Sequence, residues 1–447
     1  MDRSRRLLSR RAVLRAGGLA GLTALAPRPA SGAGAAPLPV AAAAADDLVD
    51  AFGVVIHLHF GDTVYADHDA VAAWLAALGV RHVRSRLSTR PEVLDGFEDL
   101  AERGIKVQAV CGALGDPESM ESLMAVVAAR FPDPTTVFSA FEGINEPNND
   151  GVPWVEETRA KTADLRRARD AHGLSDIPVV APSLARVGSE GVEGANTREQ
   201  AERLGDLSAW VDHGNMHVYP RGLQPSTDIG RFTAVARDVA PDRPVVCTEG
   251  GYFTATEYEG GAFPVPPLVA AAYAPQMLLE HWLAGTRRFF RYELFDDPGF
   301  GLAEREAHFG MVAWAGLGML SLAYPKPDFV TTHRLLEVFA DPGPSFEPAP
   351  LEISLAGPAD VRSTLFGRRD GSYLLCVWLD RPVYDPVRRR MRRGLTSTAA
   401  TVVLRLGRAR DVAVESLVSP YRTEHHGRVR RLSLDLPTGV TIVRLTP

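Results

Sequence analysis

Two glutamates, far apart in the chain, occupy the same local setting. Glu146 lies in Phe141-Glu142-Gly143-Ile144-Asn145-Glu146-Pro147-Asn148, reached through the apolar run Val137-Phe138-Ser139-Ala140-Phe141. The run reads as a buried strand, and Pro147, with no N–H to give a ladder, ends it. Glu249 lies in Pro244-Val245-Val246-Cys247-Thr248-Glu249-Gly250-Gly251, again at the C-terminal tip of a short apolar strand. A lone surface glutamate would not end such a strand. Two carboxyl groups so placed suit double-displacement cleavage of a glycosidic bond, which needs them about 5–5.5 Å apart. One gives its proton to the leaving oxygen. The other, ionised, attacks the anomeric carbon. Glu146 is expected as the acid/base and Glu249 as the nucleophile. Burial and a neighbouring anion would raise the acid's pKa towards about 6. Arg84, ending an earlier strand, is placed to hold Glu249 ionised through a charge-assisted bond.

The elements that must bring these tips together repeat along the chain. From Phe52 short apolar runs alternate with amphipathic stretches, the pattern of strand–helix units around a parallel sheet. Expected strands are Phe52 to Phe60, Val80 to Arg84, Ile105 to Val110, Val137 to Phe141, Ile177 to Ala181, Val211 to Val218, Val245 to Glu249 and Arg288 to Leu294. Helices are expected between them, such as Pro91 to Arg103, with Pro at its start and Gly104 past its end. Eight units predict a closed (β/α)8 TIM barrel, spanning 46–343, with the chemistry at the C-terminal ends of its strands. An open doubly wound sheet would put a Gly-rich phosphate loop after the first strand, and Ile56-His57-Leu58-His59-Phe60-Gly61-Asp62 is not one.

After Asp341-Pro342-Gly343-Pro344 the helical pattern stops. Residues 351–447 read as a small C-terminal antiparallel β-sandwich, with strands at Tyr373 to Leu379, Ala400 to Leu406, Val412 to Leu417, Leu432 to Leu436 and Thr441 to Leu445. The run Arg388-Arg389-Arg390-Met391-Arg392-Arg393 reads as a solvated hairpin loop, with an acidic polymer as its alternative partner. The 447 residues carry a formal net charge of −6, which does not suggest nucleic-acid binding. The three cysteines, Cys111, Cys247 and Cys376, form no disulfide framework and no metal spacing; buried apolar positions are expected for Cys111 and Cys247, each at the end of an apolar run. No metal and no cofactor is expected.

The first 40 residues read as an address and linker. Ser9-Arg10-Arg11-Ala12-Val13-Leu14-Arg15 precedes a Gly/Ala/Leu stretch from Ala16 to Ala26 and then a small-residue region. Paired arginines before a modest apolar run resemble a twin-arginine export signal. The run is too short for a permanent membrane span. The expected partners are a carbohydrate substrate and, during secretion, the twin-arginine export machinery. Ala41 to Ala45 reads as a linker.

Phe-Glu-Gly-Ile-Asn-Glu-Pro-Asn with the later Thr-Glu-Gly-Gly resembles the clan A retaining glycoside hydrolases, a group of barrel enzymes that includes cellulases, β-xylosidases and α-iduronidases. The resemblance implies the acid/base role for Glu146 and the nucleophile role for Glu249. It also implies that Asn145 contacts the sugar 2-hydroxyl and that Arg84 is the clan's strand-two arginine. Met216-His217-Val218-Tyr219-Pro220 is similar to the strand-six motif, with Tyr219 touching the nucleophile and His217 lining the sugar site. His59 is expected to bind sugar too. Many members end strand eight with a Trp; here Phe289-Phe290-Arg291-Tyr292-Glu293-Leu294-Phe295 offers Tyr292 or Phe295 instead. Glu142 is expected to pair with an arginine. Glu293, Asp296 and Asp297 would either rim the site or belong to an ordinary loop, and Trp154 and Tyr252 would stack on sugar or sit in the core. Two other readings remain: a non-catalytic carbohydrate-binding barrel, and a metal-dependent amidohydrolase-type barrel suggested by His57-Leu58-His59. The amidohydrolase reading wants a Lys on strand four and a His on strand five, and neither is present.

Overall fold

A computed structural model describes residues 36–149, 153–186, 195–297, 299–313, 323–392, 394, 399–418 and 421–447. The arginine pair and apolar run expected as an export signal lie outside the described residues, as does Arg393 of the basic run. Two short strands, β1 (Leu38–Val40) and β2 (Ala43–Ala44), open the described chain. Eight parallel strands follow: β3 (Phe52–Val55), β4 (His82–Arg86), β5 (Lys106–Val110), β6 (Phe138–Glu142), β7 (Val179–Val180), β8 (Gly214–Val218), β9 (Val245–Gly250) and β10 (Phe289–Arg291). They are ordered β7-β6-β5-β4-β3-β10-β9-β8, and a parallel bridge from Val180 to His213 brings the two ends together. Ala181 N–H donates to His213 O at 2.9 Å across this seam. The arrangement is the (β/α)8 barrel.

Each barrel strand is followed by a helix: His68–Leu78, Pro91–Glu102, Met120–Arg130, Val155–Ala171, Ala195–Leu204, Ile229–Val239, Pro267–Leu283 and Pro327–Phe339. Their boundaries follow local chemistry. Asp67 Oδ1 accepts from Ala70 N–H and Ser119 Oγ from Ser122 N–H, each satisfying an orphan donor of the first turn. The third helix therefore starts at Met120. Pro91, Pro267 and Pro327 occupy first turns, where a missing N–H costs nothing. The strands are buried on both faces, which is why they read as apolar runs and not as alternations. Among the described residues no helix is long and apolar enough to cross a membrane.

Between β10 and the last barrel helix, β11 (Val312–Ala313) and β12 (Tyr324–Pro325) pair with each other. The C-terminal domain holds β13 (Leu351–Ala356), β14 (Val361–Gly367), β15 (Tyr373–Leu379), β16 (Tyr384–Asp385), β17 (Arg390–Met391), β18 (Ala400–Ser416), β19 (Thr423–Leu436) and β20 (Thr441–Thr446). The two runs expected as separate strands, Ala400 to Leu406 and Val412 to Leu417, are one strand, β18. Its first half pairs with β13 and its second with β20, with a register irregularity between Arg405 and Arg410. One long bent strand therefore serves both halves of the β domain. They enclose Ile353, Leu375, Leu404 and Val443.

The expected linker is corrected. β1 pairs antiparallel with β13, and β2 pairs parallel with β14, so the segment before the barrel belongs to the C-terminal sheet. β13 and β14 would otherwise be the edges of that sheet, with open N–H and C=O groups. Backbone pairing needs no sequence signal beyond small, permissive residues, so Ala41 to Ala45 looked featureless. The junction between domains is polar as well as apolar. Glu280 of the Pro267–Leu283 helix accepts from Trp378 Nε1 at 2.8 Å and from Arg362 at 2.9 Å. Cys111, Cys247 and Cys376 are free and buried.

Candidate active site

The tips of β4, β6, β8 and β9 meet at one end of the barrel. Arg84 on β4 is 3% exposed and makes four bonds. It donates to Glu142 through Nε at 2.9 Å and Nη2 at 2.8 Å, to Glu249 Oε1 through Nη1 at 2.7 Å, and to Asn145 Oδ1 at 2.6 Å. Glu142 is wholly buried and accepts three further bonds, from Gln108 Nε2 (2.7 Å), Asn215 Nδ2 (3.0 Å) and Thr248 Oγ1 (3.1 Å). A carboxylate stripped of water needs such a set of donors. Glu142 is thus the structural anion that fixes the Arg84 guanidinium.

Past Glu142 the chain turns sharply. A Cβ on Gly143 would lie 2.8–2.9 Å from the Pro182 ring, so only glycine fits there. Glu146 has φ of 44°, in the left-handed region, and its N–H donates to Ser183 Oγ at 3.1 Å. The turn aims its side chain at β8, where His217 Nδ1 lies 2.7 Å from Glu146 Oε1. His217 Nε2 sits 3.0 Å from Thr248 Oγ1, which also approaches Asn215 Oδ1 at 2.8 Å. Tyr219 OH donates to Glu249 Oε2 at 2.6 Å. One carboxylate oxygen of Glu146, one of Glu249 and a ring nitrogen of His217 all lie within 4.8 Å of one another.

Electrostatics fixes the charge of Glu249. Burial pushes the Glu249 pKa up, but the charges of His217 and Arg84 and the Tyr219 hydroxyl outweigh it and hold the group below 4.5. For His217, burial disfavours the imidazolium. The charge of Glu249 and the bond to Glu146 win, and its pKa lies above 6.5. Glu249 therefore stays ionised. Glu146, with a quarter of its side chain exposed, faces the open cavity.

The cavity has a volume of about 730 Å3. His57, His59, Arg84, Asn145, Glu146, Tyr219, Glu249 and Tyr292 all line it. His217 is behind these groups, bonded to Glu146 from below the cavity surface. His59 reaches the cavity with its Nδ1 unbonded, and burial, with His57 and nearby arginines, pushes its pKa down to about 3. Tyr292, not Phe295, occupies the strand-eight position: Tyr292 forms an aromatic wall with Tyr219 and Phe309, at centroid distances of 6.2 and 5.3 Å. Phe295 is buried against Tyr65. Asn145 spends Oδ1 on Arg84, which leaves its amide N–H groups as donors towards the cavity.

Several side alternatives resolve as structural. Glu293 accepts from Tyr65 OH at 2.9 Å and lies 3.2 Å from His57 Nε2, below the cavity surface. Asp296 pairs with Lys326 at 2.9 Å. Trp154 is buried under Arg203, whereas Tyr252, buried with its OH on Leu223 O, still lines the cavity. His57 is engaged with Glu293 and is not part of a cluster of metal-binding type. Among the described residues one such cluster exists, Glu146, His217 and Glu249 themselves. Both Glu249 oxygens there already accept from Arg84 and Tyr219, which suits a carboxylate kept ionised by its neighbours better than a cation ligand.

Sequence reading missed Gln108, Ser183, Asn215 and Thr248. Asn215 had a usable signal: it precedes His217 by two on β8, the spacing that puts both on one face. Thr248 had none, because a register shift between Met216 and His217 opposite β9 breaks the alternation.

No family model and no curated protein matches the chain. Solved structures do. A GH39 enzyme from Xanthomonas axonopodis pv. citri matches with a TM-score of 0.56 at 14% identity, covering 93% of this chain and 98% of that one. A GH39 β-xylosidase from Caulobacter crescentus gives 0.52 at 14%, with the same coverages. A glucosidase from Croceicoccus marinus gives 0.55 at 12%, covering 84% and 92%. The chain therefore has the fold of these structures, a (β/α)8 barrel carrying a C-terminal β domain.

Proposed function

We propose that the protein is an exported retaining glycoside hydrolase that cleaves O-glycosidic bonds of an oligo-, poly- or glycoconjugate saccharide by double displacement. The observation that carries this reading is the convergence of Glu146 and Glu249, with one oxygen of each within 4.8 Å of the other, at the floor of an aromatic-walled cavity. That separation suits retention; an inverting pair stands about 6.5–9.5 Å apart to admit a water. The likeness in fold to glycosidases of both the xylosidase and glucosidase kind supports the same reaction class.

In the first step a Glu249 oxygen attacks the anomeric carbon. The C–O bond to the leaving group breaks, its electron pair goes to oxygen, and Glu146 supplies the proton. A glycosyl ester on Glu249 results, and Glu146 is left as a carboxylate. Water then attacks the same carbon, Glu146 takes its proton, and Glu249 departs as the carboxylate. Arg84 and Tyr219 favour the ionised Glu249 at both ends of the cycle. When the ester neutralises Glu249, Glu142 still balances the Arg84 charge through two bonds. His217, bonded to Glu146, keeps the acid/base oriented. Tyr219 and Tyr292 offer apolar ring faces to a sugar.

The test is hydrolysis of a panel of aryl glycosides and oligosaccharides, with the anomeric configuration of the first-formed product followed by NMR. Retention is expected, and Glu249→Gln should abolish turnover without unfolding the chain. Inversion, or parent activity in Glu249→Gln, would falsify the assignment. Stoichiometric zinc with activity lost to a chelator would favour the amidohydrolase reading instead.

A further inference from the structure

We propose that the C-terminal domain completes the substrate cavity: the β16–β17 hairpin fixes the wall that follows the nucleophile strand, and Arg389 is the positioning residue that sets how well saccharides longer than one unit are held. The substrate in this proposal rests on the glycosidase reading above.

One wall of the cavity is built by residues after β8 and β9: Arg221 and Gly222 from the first, Tyr258, Gly261, Ala262 and Phe263 from the second. The C-terminal segment 380–389 touches both. Asp380 Oδ1 accepts from Ser226 Oγ at 2.6 Å, beyond β8. Pro386 packs beside Gly222 and Phe263 so closely that a Cβ on Gly222 would lie 2.9 Å from each. Arg389 donates to two carbonyls on the outer turn of the β9 loop, Thr256 O through Nη1 at 3.0 Å and Tyr258 O through Nη2 at 2.6 Å. The loop has further ties: Thr254 N–H to His308 O, Glu257 N–H to Leu302 O and Val265 N–H to Phe253 O hold its flank and its end, Tyr258 N–H to Ala255 O closes its turn, and Arg221 donates to Gly261 O. Among the described residues Arg389 alone spans the two carbonyls, Thr256 O and Tyr258 O, on the outside of that turn.

The hairpin is itself anchored. Val383 N–H donates to Tyr273 OH of the barrel at 3.1 Å, and Val383 and Tyr384 pack into the barrel core. Asp385 accepts from Arg388 N–H and from its guanidinium, both at 3.0 Å. Arg389 has φ of 49°, a left-handed conformation that a non-glycine residue holds only when bonds on either side impose it. The basic run therefore acts, at this one residue, on the barrel, although Arg389 itself is exposed.

A single sugar at the two carboxylates is within reach of Tyr219 and Tyr292. Tyr258 and Phe263 belong to the loop beyond, so a longer saccharide is the one that feels their placement. A wall held by a guanidinium fork is pre-ordered, and less entropy is lost when the longer chain binds.

The experiment compares the full-length parent, Arg389→Ala and Arg389→Lys. Kinetics are measured on an aryl glycoside and on a tetrasaccharide of the same sugar, with amide hydrogen exchange over 253–263. In Arg389→Ala the ratio of tetrasaccharide to aryl-glycoside kcat/KM should fall about five- to tenfold, through KM, as two hydrogen bonds to a charged donor are lost and partly replaced by water. Exchange over 253–263 should rise, and Arg389→Lys should recover part of both. Unchanged exchange, or an equal loss on both substrates, overturns the proposal. If the parent cleaves no glycoside, the glycosidase reading fails by itself, and the exchange comparison still decides whether the hairpin holds the wall.

Discussion

The bond from Tyr219 OH to Glu249 Oε2 invites the sharpest test of the site's electrostatics. At 2.6 Å it falls in the short range of hydroxyl–carboxylate bonds, and such a charge-assisted bond is worth about 1.5–3 kcal/mol. It acts only on the ionised form of Glu249. Tyr219→Phe deletes it with no other change of shape. At 1.36 kcal/mol per pH unit, the Glu249 pKa should rise by about 1–2 units. Arg84 at 2.7 Å and His217 at 3.5 Å remain, so Glu249 stays ionised near neutrality. The assay is the pH profile of kcat/KM on an aryl glycoside, with circular dichroism to show that the fold persists at each pH. The acid limb of the variant should lie about 1–2 units above that of the parent. The deficit relative to parent should therefore grow about 10- to 100-fold as pH falls through the limb. A limb that does not move would refute the claim that the Tyr219 hydroxyl holds Glu249 ionised.

Stability should depend on pH from both sides. The folded pKa of Glu249 lies below its ordinary 4.5, so its contribution is present above about that pH and lost as pH falls through the folded value. The folded pKa of His217 lies above its ordinary 6.5, so its contribution is complete below that pH and lost as pH rises through the folded value. Urea unfolding at a series of pH values should show both slopes, and His217→Asn should flatten the alkaline one; an unchanged slope would remove His217 from the account. Glu142→Gln leaves Arg84 with Glu249 as its only full counter-charge. It should cost about 3 kcal/mol, the lower end for breaking a buried pair, and slow turnover by loosening Arg84; a cost under about 0.5 kcal/mol, typical of surface substitutions, would contradict the structural role. Residues 1–45 fused to a folded reporter should direct its export, and paired Arg10→Lys and Arg11→Lys should retain it in the cytoplasm; export unaffected by the pair would exclude the twin-arginine route.

Much of the barrel was legible because its strands are buried on both faces and its helices on one, two patterns that local sequence displays directly. Glu146 and Glu249 could be picked out because each ends such a strand, and Pro147 and the two glycines after Glu249 mark where each strand stops. Arg84 was legible from its place at the end of an expected strand, but Tyr219 only through resemblance, since a lone Tyr at a strand end has no periodic signal. The sequence could not say whether Tyr292 or Phe295 faces the cavity; packing against Tyr65 buries Phe295 and decides it. Nor could it assign the alanines near the start, because main-chain pairing with β13 and β14 depends on which edges the rest of the fold leaves open.

What the sequence determined by itself was therefore the local order: strand, helix, turn, and the residue at each tip. The tertiary structure alone decided which tips meet. Barrel closure at the Val180–His213 bridge sets the ring in which β6, β8 and β9 face one another, and it brings Glu146 and Glu249 together. The same closure gathers Gln108, Asn215 and Thr248 around Glu142, and lets Arg389, far along the chain, hold the wall beside them. These are contacts between residues distant in sequence, and no local propensity encodes the separation of two carboxylates.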